Sequence, residues 1–137
     1  MRILGIDYGN RRTGVAVSDE TEFLSSGLTT VHGQDIDVVA SEIAKIYNEQ
    51  GAKRIVLGLP KNMDGSSGFR VEQTLKFKDK LLELIPDADI VLYDERMTTL
   101  AASQYMNITD VKGKKRKNTI DMLAAKIILQ DYLDSKR

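Results

Sequence analysis

The chain predicts an α/β fold: one mixed sheet that opens as an antiparallel meander, continues in parallel strands and is covered by helices. Three observations point there. Residues 2–32 carry three β-rich runs separated by short turns. Beyond them, stretches with helical periodicity alternate with short, continuously apolar runs. The resulting order, three β runs followed by α, β, α, β, α, α, is a meander leading into βαβ units. Residues 1–137 are expected to form a single domain, long enough to bury roughly two-thirds of the surface of its unfolded chain.

Residues 2–8 and 13–19 read as a strand pair, with Gly9, Arg11, Arg12 and Gly14 in and around the turn between them, and 26–32 as a weaker third strand. Between 35 and 50, Ile36, Val39, Ala40, Ile43, Ile46 and Tyr47 make one apolar stripe, closed by Gly51 as a C-terminal cap. Residues 53–59 form an apolar run before Pro60, as in an interior strand covered on both faces. A loop from Pro60 to Gly68, rich in glycine and serine, leads to a helix over 70–85 with Phe77, Leu81 and Ile85 in register. Residues 88–93 are a further buried strand, 98–107 a short helix, and 119–133 a last helix with Ile120, Leu123, Ala124, Ile127 and Ile128 along one face.

Composition excludes several classes of function. The absence of cysteine removes thiol nucleophiles, disulfides and cysteine-based metal sites, and fits a reducing compartment. One histidine, His32, makes a Ser-His-Asp triad or a histidine-rich zinc site improbable, and His32 reads as an ordinary polar residue at a strand end. Twenty basic and 20 acidic residues cancel, so contact with a polyanion must come from local clustering rather than from the field of the whole molecule. No apolar run approaches the ~18 residues that span a bilayer. The start shows no signal-peptide pattern, so a cytoplasmic protein without a membrane partner is expected.

Three acidic positions stand out. Asp7 ends the first strand beside glycine and arginine, which suits holding a metal ion against a phosphate, although an aspartate there also fits simple bonding to the turn backbone. Asp94 and Glu95, followed by Arg96, lie between a buried strand and a helix; a turn bond and a solvent ion pair would also explain them. Asp121 follows Asn118, and with Asn118 as N-cap it would occupy the third helical position, where an acid stabilises the helix start. Each acid alone has a local explanation. Together, Asp7, Glu95 and Asp121 offer the hard oxygen donors of a two-metal site, whose ions sit about 4 Å apart and stabilise the attacking and leaving oxygens of a phosphodiester.

The motifs Gly5-Ile6-Asp7-Tyr8-Gly9, Gly58-Leu59-Pro60-Lys61-Asn62-Met63-Asp64-Gly65, Asp94-Glu95-Arg96-Met97-Thr98-Thr99 and Lys117-Asn118-Thr119-Ile120-Asp121 resemble the YqgF/RuvX family in order and spacing over essentially the whole chain. That family comprises small bacterial proteins with the RNase H-like fold, akin to the RuvC Holliday-junction resolvase. The resemblance implies an RNase H-like sheet and a metal-dependent nuclease that processes the 5′ end of precursor 16S rRNA in ribosome biogenesis. By position it implies Asp7, Glu95 and Asp121 as catalytic acids and ligands of Mg2+ or Mn2+, with Asp94 as an auxiliary ligand whose share stays open. Met97 stands where the family leads one to expect leucine, a volume-conserving departure.

Lys112, Lys114, Lys115, Arg116 and Lys117 fill five of six consecutive positions and run into the helix carrying Asp121. Phosphate contact is the preferred reading over a solvated charge run, because lysine and arginine neutralise backbone charge irrespective of sequence. Arg11, Arg12, Lys61, Arg70 and Arg96 extend the same expected surface, and the loop with Lys61 and Asn62 has the length and glycine content of a substrate-contacting segment. RNA is the expected partner and structured DNA the alternative, with the chain a monomer or weak homodimer. Junction cleavage in DNA needs two facing active sites and hence a stable dimer. A sugar kinase or ATPase also uses a strand-Asp-x-Gly turn, but needs two such domains. A non-catalytic RNA-binding assembly factor would keep the basic surface and need no convergent acids.

Overall fold

The computed structural model describes residues 1–60, 68–94 and 113–136, the stretch up to residue 119 as helical backbone only. Its strands are β1 (Arg2–Asp7), β2 (Arg12–Ser18), β3 (Ser25–His32), β4 (Ala52–Leu59) and β5 (Asp89–Asp94); its helices are α1 (Ile36–Glu49), α2 (Phe69–Leu84) and α3 (Gly113–Ser135). The strands form one sheet in the order β3-β2-β1-β4-β5. β1 pairs antiparallel with β2 and β2 with β3, whereas β1, β4 and β5 run parallel. The mixed sheet expected from the element order is therefore the one observed. The short helix expected over 98–107 and most of the loop after Pro60 lie outside the described residues.

Strand alternation divides the core in two. Leu4, Ile6, Val15, Ile55 and Leu57 face α1 and α2, packing with Val39, Ala40, Ile43, Phe77 and Leu81. Ile3, Ala16 and Val56 point to the other face and pack under α3 with Ala125, Ile128, Leu129, Tyr132 and Leu133. Burial on both faces explains why β4 reads as a continuous apolar run. α1 starts on Asp35, whose side chain accepts a hydrogen bond from the Asp37 amide at 2.9 Å, and ends as expected at Gly51, in the left-handed region at φ +65°.

The last helix departs from expectation in two ways. It begins at Gly113 rather than near 119, so Asn118 is not its N-cap and Asp121 lies in its third turn. Its buried stripe is Ala125, Ile128, Leu129, Tyr132 and Leu133, rotated from the expected one; only Ile128 is common to both. The physical reason is visible under the helix. A Cβ built on Gly5 would lie 2.7 Å from the Leu129 Cβ and 2.9 Å from the Ala125 carbonyl oxygen, so β1 is stripped of side-chain bulk where that stripe crosses it. α3 is also fastened to the edge of the sheet. The Ser25 hydroxyl donates to the Lys126 carbonyl (2.7 Å), the Ser25 amide donates to the Gln130 side chain (2.9 Å), and the Gln130 amide group donates to the Phe23 carbonyl (3.0 Å). At the opposite end Arg54 donates to both Tyr132 (3.0 Å) and Asp89 (2.7 Å).

Candidate functional site

Asp7 is the last residue of β1, at the carboxyl end of the parallel strands, where open α/β sheets place their ligands. It shares the α3 face with Ile3 by strand alternation, and its partner across the β1–β2 ladder is Gly14. A Cβ on Gly14 would collide with the Asp121 main-chain carbonyl, so the missing side chain is what admits α3 at this point. Asp121 precedes Ala125 by four residues and Ile128 by seven, and so extends the buried stripe of α3 onto the end of β1. Asp7 and Asp121 come together by that route.

Arg12 opens β2 on the same face and donates from Nε to Asp121 Oδ2 at 2.8 Å, a contact between residues 109 apart in the chain. The Asp121 carboxyl lies above its ordinary pKa. Burial is the main cause, the Asp7 charge adds to it, and the hydrogen bond and charge of Arg12 oppose it, as does His32. Arg70, in the first turn of α2, reaches back to donate to the Tyr8 carbonyl at 3.3 Å. The Tyr8 ring is stacked on Phe77 with centroids 4.3 Å apart, and burial raises its phenol pKa. These groups line an open cleft of about 370 Å³ formed by Asp7, Tyr8, Gly9, Asn10, Arg11, Arg12, Arg70 and Asp121.

Of the residues singled out in the sequence, the structure thus gathers Asp7, Arg11, Arg12, Arg70 and Asp121 at one cleft. Asp94 also ends its strand at the carboxyl edge, paired with Leu59. Alternation along β5, with Ile90 and Leu92 toward α1 and α2 and Val91 and Tyr93 toward α3, puts Asp94 on the face opposite Asp7. Glu95, Lys61, Asn62, Arg96 and Lys112 lie outside the described residues. Lys114, Lys115, Arg116 and Lys117 fall in the first turns of α3. Among the described residues no group of three or more potential metal ligands forms. Tyr8 and Asn10, which were not among the residues expected at the site, line the cleft, and His32 is near enough to bear on Asp121. The signal for His32 is its ladder pairing with Arg12, which only the β2–β3 register reveals.

A meander joined to parallel strands, with an aspartate ending the central strand and a helix laying a second acid across it, defines the RNase H-like class. The chain matches Thermus thermophilus RuvC in complex with a Holliday junction substrate (TM-score 0.62, 11% identity, 99% of this chain and 95% of that one). It matches the fowlpox virus resolvase bound to Holliday junction DNA similarly (TM-score 0.63, 12% identity, 99% of each chain). At those identities the likeness shows the fold. The sequence model of the RuvX family, described as Holliday junction resolvase, matches residues 1–135. Relatives from Acetivibrio thermocellus and Staphylococcus carnosus, both named "Putative pre-16S rRNA nuclease", are each 43% identical, over 137 and 136 residues; the matches span 99% and 98% of this chain and 97% and 96% of theirs. The chain belongs to the RuvX family. It is a nuclease, a hydrolase of phosphodiester bonds.

Proposed function

We propose that this nuclease uses Asp7, Glu95 and Asp121 to hold Mg2+ or Mn2+ and processes the 5′ end of precursor 16S rRNA in the cytoplasm. The observation that carries the reading is the meeting of Asp7 and Asp121 at one cleft beside Arg11, Arg12 and Arg70. Carboxylates are the hard oxygen donors that such ions prefer. Bound there, divalent ions would supply Lewis acidity to the attacking and leaving oxygens of the phosphodiester. Asp7 contributes a ligand held rigidly by a central strand, and Asp121 one held by a helix seated on glycine. Asp94, on the opposite face, is a poor partner for either acid, which favours Glu95 as the third ligand. The arginines suit the phosphates that flank the scissile bond.

The basic run adds support of a different kind. Lys114 to Lys117 occupy the start of α3, where cations oppose the helix dipole by about 0.3–1 kcal/mol at exposed positions. Helix stability does not call for them there; contact with phosphate does. The RNA substrate follows the names of the 43% identical relatives. A second substrate, the four-way DNA junction, follows the description of the family.

The test is to incubate the purified protein and its Asp7→Asn variant with Mn2+ or Mg2+, a pre-16S rRNA fragment and a four-way DNA junction. Metal-dependent cutting of the RNA by wild type alone supports the proposal. Preferred cutting of the junction moves the substrate to DNA. Cutting by Asp7→Asn, or without metal, rejects the site.

A further inference from the structure

We infer that Arg12 is the resident counter-cation of Asp121, holding its carboxylate until a divalent ion displaces the guanidinium, which then engages a substrate phosphate. The inference rests on the metal role proposed for Asp121. Its basis is the 2.8 Å contact from Arg12 Nε to Asp121 Oδ2, made at the edge of the cleft. A purely structural role for this contact is weak. α3 is already seated by its apolar stripe and by the hydrogen bonds linking Ser25 and Phe23 to Lys126 and Gln130. Substitution of one ion pair among these anchors would leave the helix in place.

The charge arrangement favours exchange. Asp121 is largely withdrawn from water, its side chain 18% exposed, and faces the like charge of Asp7. One guanidinium hydrogen bond leaves its other oxygen without an Arg12 contact. A divalent ion brings twice the charge and satisfies hard oxygens at shorter range. Bound to the other oxygen, it would set its positive charge beside the guanidinium on the same carboxylate, which favours departure of Arg12. Arg12 is one-third exposed, so its head group has room to swing within the same cleft.

The exchange couples two ligands. A phosphate that draws Arg12 away frees Asp121 for metal, and metal on Asp121 frees Arg12 for phosphate; the factor must be equal in both directions. The Mn2+ dissociation constant, measured by calorimetry on wild type, Arg12→Gln and Asp121→Asn, tests this. Each protein is titrated with and without a short RNA carrying phosphorothioate linkages that resist cleavage. Arg12→Gln should bind Mn2+ at least about fivefold tighter than wild type without RNA, the lower end of common coupling factors. RNA should tighten Mn2+ binding to wild type by a clearly larger factor than it does to Arg12→Gln, where only the direct contact of phosphate with the ion remains. Equal or weaker Mn2+ binding by Arg12→Gln overturns the exchange, because an arginine that merely orients Asp121 would give that result. If Asp121→Asn binds Mn2+ like wild type, the metal role of Asp121 fails and the exchange with it. Should Arg12→Gln not fold, Arg12→Lys serves instead: it keeps the charge, loses the fixed Nε geometry and should shift the Mn2+ constant in the same direction by less.

Discussion

Gly14 stands opposite Asp7 in the β1–β2 ladder, and the space where its side chain would be is filled by the main chain of Asp121. One glycine therefore sets both the seat of α3 and the meeting of the two acids.

Gly14→Ala should accordingly cost stability and activity together. The added methyl meets backbone, which cannot rotate away, and overpacking of this kind costs about 1–3 kcal/mol or more. Gly51→Ala is the contrast. Its Cβ meets nothing within 4 Å, and the cost comes from the left-handed φ of +65°, about 1–2 kcal/mol, far from the cleft. Thermal melts beside a cleavage assay should show both variants destabilised, with specific activity of the folded protein lost only in Gly14→Ala.

Asp7→Asn and Asp94→Asn should part company. Asp7 faces α3 and Asp121, and losing its charge should lower cleavage by about 10²–10³-fold or more, the usual range for removing one preorganised electrostatic group. Asp94 lies on the other face, so Asp94→Asn should keep most of the activity. Single-turnover rates at saturating Mn2+ measure both. A loss in Asp94→Asn equal to that in Asp7→Asn would bring Asp94 into the site.

Asp121 makes the metal-free protein sensitive to pH. Its folded pKa is raised, chiefly by burial. The protonated carboxyl is therefore favoured by folding. Its contribution is complete below the ordinary value of 3.8 and is lost as pH rises through the raised value. With the helix starting at Gly113, Asp121 is no cap, and no dipole contribution is forfeited on substitution. Asp121→Asn should hence be at least as stable as wild type at neutral pH without metal, and its melting temperature should fall less between pH 4 and 7. Melts across that range in chelator decide it; a clear drop for Asp121→Asn at pH 7 would mean the Arg12 contact outweighs burial.

Neutralising Lys114, Lys115 and Arg116 together should weaken nucleic-acid binding without unfolding α3, since cations at a helix start oppose its dipole. Every phosphate that these cations no longer neutralise should reduce the slope of log K against log salt by about 0.9 on duplex and about 0.7 on single strands. Filter binding at several salt concentrations gives that slope. An unchanged slope would make the run a solvated surface.

Among the described residues, the sequence by itself determined the order of strands and helices and the direction of the chain through the sheet, though not where the last helix starts. A period of two places Leu4 and Ile6 against Ile3, a period of 3.6 buries Val39, Ala40, Ile43 and Tyr47, and Gly51 stops α1. These are local properties, because a side chain's face depends on its few neighbours along the strand or helix. Asp7 was legible for the same reason: a carboxylate directly after an apolar strand is a pattern within a few residues. The stripe of α3 was not. Its stretch is apolar on more than one side, with Ile120, Leu123 and Ile127 half-buried beside the true core face, and periodicity alone does not choose between them. Tertiary packing decided it, because α3 can approach β1 and β2 only over Gly5 and Gly14, and that rotation turns Asp121 toward Asp7. The face of Asp94 follows from alternation once the apolar residues of β5 are assigned to the two cores, whereas the Arg12–Asp121 pair was settled by packing in the same way as the stripe. That pair depends on which backbones can touch, and that depends on side chains far apart in the chain fitting one space.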